Sequence, residues 1–240
     1  MINPREAAVK KALQIGGIAA GVVLIGFGIA SIVLAVKGGR TVNSNLEQEF
    51  IYGTPDMTPS GIKAEVDAIK AEQQRIATAQ KNANVPASKQ FTFTTVEAPS
   101  CSVAGKRVNS GSSALCFGRY MRIHALGASS GLTYSQMGQF AAKPDAPPQA
   151  TDFNGGTSDP KYAQTDPKTG QPASNGARNT WVTETSLTTA LYLAFTGSQI
   201  SLFGIVVGVA LLLSGIGFVI LALSGAIGHV PFRGEARTTA

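Results

Sequence analysis

Residues 13–36 have the sequence LQIGGIAAGVVLIGFGIASIVLAV, and this stretch decides the architecture of the chain. Gln14 and Ser31 are its only clearly polar side chains, and none of its 24 residues is charged. As an α-helix with a rise of 1.5 Å per residue, it would be roughly 36 Å long. The hydrocarbon core of a bilayer is about 30 Å thick, so the stretch predicts a transmembrane helix.

A second apolar run occupies residues 200–227, near the other end of the chain. It holds 28 residues, carries no charge, and is interrupted only by Ser201, Ser214 and Ser224. The whole chain is 44% hydrophobic but only 14% charged, against about 25% in soluble domains. We therefore predict a membrane protein in which two transmembrane α-helices, 13–36 and 200–227, flank a domain over 37–199.

The charges beside the two helices predict their orientation, because cytoplasmic flanks are enriched in Lys and Arg. Basic residues precede the first helix and follow the second, at Arg5, Lys10, Lys11, Arg233 and Arg237. We expect a multi-pass protein of the cell membrane with cytoplasmic tails at 1–12 and 228–240 and an extracytoplasmic domain. The alternative for the first helix is a cleaved signal sequence, whose apolar core would be only about 7–15 residues long.

The two cysteines of the chain, Cys101 and Cys116, both lie between the predicted helices. That topology places them in an oxidising compartment, where a disulfide is the expected outcome. Closing a loop of this length is worth about 3 kcal/mol on the chain-entropy model. A metal pair or a reactive thiol is the alternative, but no partner residues stand at ligand spacing.

Between the two membrane helices, the sequence pattern predicts a small α+β domain. A helix is expected over 58–85, with Thr58 as its N-cap. A disulfide-linked core is expected over 90–126, in which alternating Phe and Thr residues predict a strand at 90–97 and a helix follows at 112–126.

The second half of the predicted domain changes in composition. Residues 143–179 are rich in Pro, Gly, Asn, Asp, Ser and Gln, so we expect a flexible loop without a packed core. A further helix is expected from Thr183 to Phe195, continuing into the second membrane helix.

Glycine occurs at the same spacing in both apolar segments, at offsets of 0, 4 and 11 residues: Gly17, Gly21 and Gly28 in the first, Gly204, Gly208 and Gly215 in the second. Small residues at this spacing let helix backbones approach closely in lipid. We interpret the stripes as packing faces, through which the helices associate with each other, with further copies or with another protein. The alternative is the general abundance of glycine in membrane helices.

The charge distribution argues against nucleic acid as a partner. Residues 37–199 contain 15 basic and 12 acidic residues, which is nearly balanced, and much of the net charge of +6 lies in the tails. Within the disulfide region the only charges are basic, at Lys106, Arg107, Arg119 and Arg122. This local cluster is a candidate surface for an anionic partner, and a solvated basic face is the alternative.

No catalytic residue, metal ligand or cofactor site is predicted. Neither apolar segment contains an ionisable side chain, although ion pathways normally need one, so the helices suit an anchor better than a conduit. His124 is the only histidine between the helices. Without an evident Ser, Cys or carboxylate constellation it predicts no chemistry, and we expect a packing role or partial exposure.

Several short strings, taken together, resemble a family of uncharacterised actinobacterial two-pass membrane proteins. They are GTPDMTP at 53–59, CF at 116–117, YMRIHA at 120–125, TYSQM at 133–137, DPKTGQ at 166–171 and WVTET at 181–185. The resemblance implies two helices and an external domain. Some members are labelled aromatic ring-opening dioxygenases, yet a facial-triad iron site needs two histidines, and His229 is predicted on the cytoplasmic side.

The leading hypothesis is a non-enzymatic integral membrane protein whose external domain binds a protein partner or organises an assembly. Two alternatives remain open: a membrane-bound enzyme or an accessory subunit of one, and a homo-oligomeric channel.

Overall fold

A computed structural model describes residues 4–82, 91–152 and 154–225. The chain divides into two compact units, one formed by residues up to 41 and from 197 onward, the other by residues 42–196. The regular elements are α1 (Pro4–Gln48), α2 (Lys63–Asn82), α3 (Gly111–Ala128), β1 (Phe140–Ala141), β2 (Gly156–Thr157) and α4 (Gly176–Leu223). Two long apolar helices thus flank a small mixed domain, as the sequence predicts.

Both α1 and α4 are long and apolar enough to cross a membrane, judged by length and composition. Each extends beyond its predicted apolar segment at the end that leads into the domain. Large apolar side chains are exposed along both helices, among them Val22, Phe27, Leu34, Phe203 and Leu213. The last residues of the predicted second span, 226–227, and the tail at 228–240 lie outside the described residues.

In the first unit, α1 and α4 run antiparallel and touch through glycine. A Cβ atom built on Gly28 would stand 2.8 Å from the carbonyl oxygen of Gly208, and one on Gly208 would stand 2.8 Å from the carbonyl oxygen of Gly28. Gly21 and Gly215 repeat the arrangement at 2.7 Å in both directions. No side chain fits at these positions without a backbone shift, so the close approach requires glycine.

The remaining contacts of this helix pair involve small residues as well. The Ser31 hydroxyl donates a hydrogen bond of 2.9 Å to the carbonyl oxygen of Gly204. A Cβ on Gly204 would meet the Ala35 side chain at 2.9 Å. Gly17 is half-buried on α1. Five glycines of the predicted stripes therefore lie at the contact between the two helices of one chain: Gly21, Gly28, Gly204, Gly208 and Gly215.

We expect Gly28→Ala to destabilise the helix pair by about 1–3 kcal/mol, because the added methyl group collides with backbone. The matched control is Gly26→Ala, since nothing lies within 4 Å of a Cβ at Gly26. The control should be neutral or slightly stabilising, because Ala favours the helix over Gly. Circular dichroism of the full chain in mixed micelles, titrated with a denaturing detergent, measures both. Equal losses in the two variants would contradict the packing role.

In the second unit, a disulfide joins Cys101 to Cys116, with the two Cα atoms 6.1 Å apart. Cys116 lies in α3, and Cys101 follows the irregular residues 91–100. Beside the disulfide, the fully buried Tyr120 donates a hydrogen bond of 2.6 Å to the carbonyl oxygen of Cys101. The core around these residues also buries side chains from α2, the 53–62 turns, the end of α3 and the loop after it, including Met57, Ile62, Ile76, Leu126 and Leu132.

Capping interactions define both ends of α3, which spans two residues more at its C-terminus than the predicted 112–126. Ser110 and Ser113 form a capping box at the N-terminus. At the C-terminus, Ser130 (φ 55°) and Gly131 (φ 76°) adopt left-handed backbone. Their N–H groups donate to the carbonyl oxygens of Gly127 and Leu126, which is the Schellman pattern.

The helix predicted over 58–85 begins later than expected, at Lys63. Thr58 caps a turn instead, because its hydroxyl accepts a 2.9 Å hydrogen bond from the N–H of Gly61. α2 is described as far as Asn82, and residues 83–85 lie outside the described residues. Lys63 and Asp67, one turn apart, form an ion pair at 2.6 Å on the surface of this helix.

The strand predicted at 90–97 is absent from the described residues 91–97. Side chains take the place of a neighbouring strand: the N–H of Phe91 donates to Gln80, and the Gln136 amide donates a 2.9 Å hydrogen bond to the carbonyl oxygen of Thr92. The alternating Phe and Thr residues therefore lie in an irregular segment, which contacts α2 through Gln80 and has no strand partner among the described residues.

The segment predicted as a flexible loop, 143–179, differs from that expectation because it carries pairings and buried residues. β2 pairs antiparallel with β1, and single bridges join Ala142 to Ala163 and Thr165 to Pro172. The Asp152 carboxylate accepts backbone N–H groups from Gly138, Asn154 and Gly156. Hydrogen bonds of polar side chains to backbone stabilise a segment whose composition is poor in large apolar residues.

The last helix begins earlier than the predicted Thr183. Asn175 caps it, because its side-chain oxygen accepts a 3.1 Å hydrogen bond from the N–H of Ala177. The same side chain donates a 3.0 Å hydrogen bond to the carbonyl oxygen of Gly138. Asn175 is 5% exposed, so it satisfies buried backbone on two elements at once.

Tyr120→Phe should lower the stability of the domain by about 1–2 kcal/mol, because the carbonyl oxygen of Cys101 loses its buried donor. Tyr134→Phe is the matched control, since Tyr134 is 45% exposed and should change stability by less than about 0.5 kcal/mol. Guanidinium unfolding followed by the fluorescence of Trp181, the single tryptophan, measures both. A neutral Tyr120→Phe would show that the hydrogen bond contributes nothing.

Candidate functional site

Two carboxylates and a histidine that is distant from them in the sequence meet on the surface of the second unit. His124 stands between two carboxylates: its Nδ1 lies 3.0 Å from Oε2 of Glu65, and its Nε2 lies 3.3 Å from Oδ2 of Asp56. We name Asp56, Glu65 and His124 the histidine cluster. Their side chains are 26–42% exposed, so the cluster is open to small solutes.

Three elements bring the histidine cluster together. Asp56 lies in the turn before α2, where the Thr54 hydroxyl donates to its carboxylate. Glu65 lies in the first turn of α2, and His124 lies in α3. Gly127, one turn beyond His124, leaves room for Glu65, because a Cβ there would collide with the Glu65 carboxylate. The packing of α3 against α2 therefore sets the geometry of the cluster.

The electrostatics of the cluster favour an ionised Asp56. The hydrogen bond from Thr54 is the main cause of a lowered pKa for Asp56, partial burial works in the opposite direction, and the neighbouring His124 lowers the pKa further. An ionised carboxylate beside an imidazole nitrogen is a pair of groups that can hold a proton or a metal ion between them.

A fourth ionisable group, Glu184 of α4, lies beside the cluster. Its Oε2 atom is buried and has no hydrogen-bond partner among the described residues. Burial raises the pKa of Glu184, His124 acts against this shift, and the negative charge of Glu65 adds to it. Glu184 and Arg122 line one small cavity. The guanidinium of Arg122 stands over the ring of Trp181, 5.6 Å from the ring centroid.

Within the described residues, Asp56, Glu65 and His124 are the group whose ligand atoms lie close enough for one metal ion, all within 4.8 Å of one another. No ligand role is predicted from the sequence for His124 or for either carboxylate. Asp56 and Glu65 lie far from His124 along the chain, so only the packing of α2 on α3 reveals the set. The sequence offered only a weak signal: one acidic residue in the GTPDMTP string at 53–59 and one near the start of the helix predicted over 58–85.

The predicted anionic-partner surface is divided by the structure. Arg119 and Arg122, one turn apart on α3 and both exposed, line a cleft of about 450 Å³. Residues 95–100 form its other wall, and Ile123, Leu126 and Tyr192 also line it. We name this feature the basic cleft. Glu97 is the one acidic residue among its lining residues.

The other two residues of the predicted surface, Lys106 and Arg107, do not line the basic cleft. Arg107 donates to the carbonyl oxygen of Glu47 and stands 4.5 Å over the ring of Phe50. It therefore stabilises the domain where the chain leaves α1. Lys106 is exposed in the turn at Gly105.

Comparisons with known proteins give no match, so the function is inferred from the geometry of this chain. No family model matches the chain, and neither a search of curated proteins nor a search of solved structures finds a similar one. The resemblance to actinobacterial two-pass proteins stays a prediction from short sequence strings.

Glu184→Gln should stabilise the chain at neutral pH. A raised pKa means that folded Glu184 binds a proton more readily than unfolded Glu184, so its ionisation as pH rises costs stability. Partial solvent screening limits the expected gain to about 0.5–1 kcal/mol. The gain should shrink as pH falls, until the carboxyl is protonated in both states. Thermal unfolding in a chelating buffer at pH 4 and pH 7 measures it.

The matched control is Glu49→Gln, because Glu49 is exposed and its substitution removes the same charge. It should leave the unfolding free energy within about 0.5 kcal/mol at either pH. A loss of stability in Glu184→Gln at neutral pH would show that the Glu184 carboxylate makes a favourable interaction when ionised.

Proposed function

We propose that the chain is a non-enzymatic membrane protein with two transmembrane helices, cytoplasmic termini and an extracytoplasmic domain that binds an acidic protein partner in the basic cleft. The observation that carries the proposal is the cleft itself, in which Arg119 and Arg122 face an irregular segment across a cavity of about 450 Å³.

The helix pair supports the anchoring role. Its glycine faces are occupied by mutual contact, and large apolar side chains are exposed along both helices. Such a surface suits contact with lipid, where packing of small residues replaces the hydrophobic effect between helices. The apolar segments contain no charged side chain, so an anchor is favoured over an ion pathway.

The chemistry of the cleft favours a carboxylate-bearing partner. A guanidinium presents a planar fork of donors that matches a carboxylate in a bidentate manner, and two such forks stand one helical turn apart. Apolar contacts are available beside them from Ile123, Leu126 and Tyr192. An extended acidic segment with an apolar residue would use both kinds of contact, which is typical of the centre of a protein interface.

The disulfide supports the cleft as a preformed feature. Cys101 directly follows the wall at 95–100, and Cys116 lies one turn before Arg119 on the opposite wall. A covalent link between the two walls restricts their separation before a partner arrives. Binding to a preformed site loses less conformational entropy than binding that orders a mobile one.

The proposal is tested with a membrane-impermeant crosslinker that does not react with lysine, applied to intact cells that produce the chain. We expect a stoichiometric crosslinked partner with the wild-type chain and at least about tenfold less of it with the double variant Arg119→Gln/Arg122→Gln, since loss of interface charges of this kind costs 2 kcal/mol or more. Quantitative mass spectrometry of the affinity-purified product is the measurement.

Lys106→Gln is the matched control, because it removes one exposed positive charge of the disulfide region outside the cleft. It should leave the yield of crosslinked partner unchanged. Equal yields from the double variant and the wild-type chain would contradict binding in the cleft. A chain that reacts only after the cells are permeabilised would contradict the extracytoplasmic placement.

A further inference from the structure

We infer that the histidine cluster is a binding site for a divalent transition-metal ion of the zinc class, coordinated by Nε2 of His124 and the carboxylate of Asp56, with Glu65 positioning the imidazole. The inference is independent of the basic cleft and of its partner.

The first support is the separation of the two proposed ligand atoms. Zinc binds imidazole nitrogen and carboxylate oxygen at about 2.0–2.2 Å, so two ligands on one tetrahedral ion lie roughly 3.3–3.6 Å apart. Nε2 of His124 and Oδ2 of Asp56 are 3.3 Å apart. The pair already has the spacing that a shared ion requires.

The second support is the contact on the other side of the imidazole ring. Nδ1 of His124 lies 3.0 Å from Oε2 of Glu65, which is a hydrogen-bond distance. A carboxylate that accepts the Nδ1 proton leaves the lone pair on Nε2, the atom directed at Asp56. Metal-binding histidines are commonly held in this way, because the outer carboxylate fixes the tautomer and the ring orientation.

The third support is the arrangement of carboxyl groups around the ring. Asp56 and Glu65 flank the imidazole on its two sides. Oε2 of Glu184 is buried without a hydrogen-bond partner among the described residues, although Arg122 lines the same small cavity. A divalent ion adds positive charge beside the two flanking carboxylates, and partial exposure of Asp56 and His124 gives it access.

The donor set selects the class of ion. One imidazole nitrogen together with carboxylate oxygen suits zinc and its neighbours, whereas calcium and magnesium prefer all-oxygen sites. With two protein ligands the ion keeps further positions for water. The turn containing Asp56 and the helix containing His124 would then be tied by the ion, so binding should stabilise the domain.

The test uses the full chain in detergent, purified without a histidine tag and freed of metal by a chelator. Isothermal titration with zinc chloride should show one ion per chain, and a saturating excess should raise the melting temperature. In Asp56→Asn and His124→Gln, we expect affinity for zinc to fall by at least about tenfold and the rise in melting temperature to disappear. Circular dichroism without metal checks that both variants are folded.

Asp67→Asn is the matched control, because it removes an exposed carboxylate from α2 that pairs with Lys63 instead of a histidine. It should bind zinc as the wild-type chain does. Should His124→Gln fail to fold, Asp56→Asn still decides the question, since Asp56 is 42% exposed in a surface turn. An unaltered affinity in Asp56→Asn, no zinc bound by the wild-type chain, or binding of calcium in preference to zinc would overturn the inference.

Glu65 is tested separately as a positioning residue. In Glu65→Gln the zinc affinity should fall by about 10-fold or more, and Glu65→Asp should restore part of it. Histidine ring NMR in the zinc-loaded chain gives a readout that a structural role would not change: the wild-type chain should show metal at Nε2 and a protonated Nδ1. Metal at Nδ1 would overturn the assigned role.

Discussion

The covalent bond between Cys101 and Cys116 is the constraint on which the domain depends. Among the described residues, the regular sheet consists of two strands of two residues each, so a large sheet does not organise the domain. The disulfide links the end of the irregular 91–100 segment to α3. The Tyr120 hydroxyl adds a hydrogen bond to the carbonyl oxygen of Cys101. α3 in turn carries residues of both the basic cleft and the histidine cluster. Small domains with limited cores commonly rely on such cross-links.

Away from the disulfide, the order of the domain comes from polar side chains that bind backbone. Asp152 accepts three N–H groups, Asn175 joins the start of α4 to Gly138, and Gln73 donates a buried hydrogen bond of 3.1 Å to the carbonyl oxygen of Gly131. A buried polar group is costly unless it has a partner, so each of these contacts disfavours alternative arrangements. This explains how a segment poor in apolar residues adopts a defined path.

The helix pair obeys a different rule, because its contact is made by backbone. Gly28 and Gly208 approach so closely that the backbone of each lies where a side chain on the other would have to be. Dispersion forces and the Ser31 hydrogen bond act between the helices, while the large apolar side chains remain on the outside. The same sequence segment therefore supplies an inner face of small residues and an outer face of large ones.

Local patterns in the sequence predict part of the fold. The two apolar segments, the disulfide and the helix around Tyr120 each follow from composition or periodicity over a few turns. The predictions are wrong where a single side chain decides the structure. The Gln80 side chain accepts the N–H of Phe91 in place of a strand partner, and Asn175 caps α4 before the predicted start of the helix. Asn followed by a helical pattern was a usable capping signal, whereas nothing local identifies the partner of Phe91.

The histidine cluster and the basic cleft illustrate why candidate sites are harder to predict than elements. His124 follows Arg122 by two positions on α3, so the two side chains point in directions about 200° apart around the helix axis. One direction meets the carboxylates of Asp56 and Glu65, and the other meets the wall at 95–100. Periodicity places the two residues on different faces, but the charge that each face meets depends on α2 and on the disulfide. Neither arginine supplies a ligand atom to the cluster, so replacing Arg119 and Arg122 leaves its three side chains in the chain, and the two sites can be tested with separate variants.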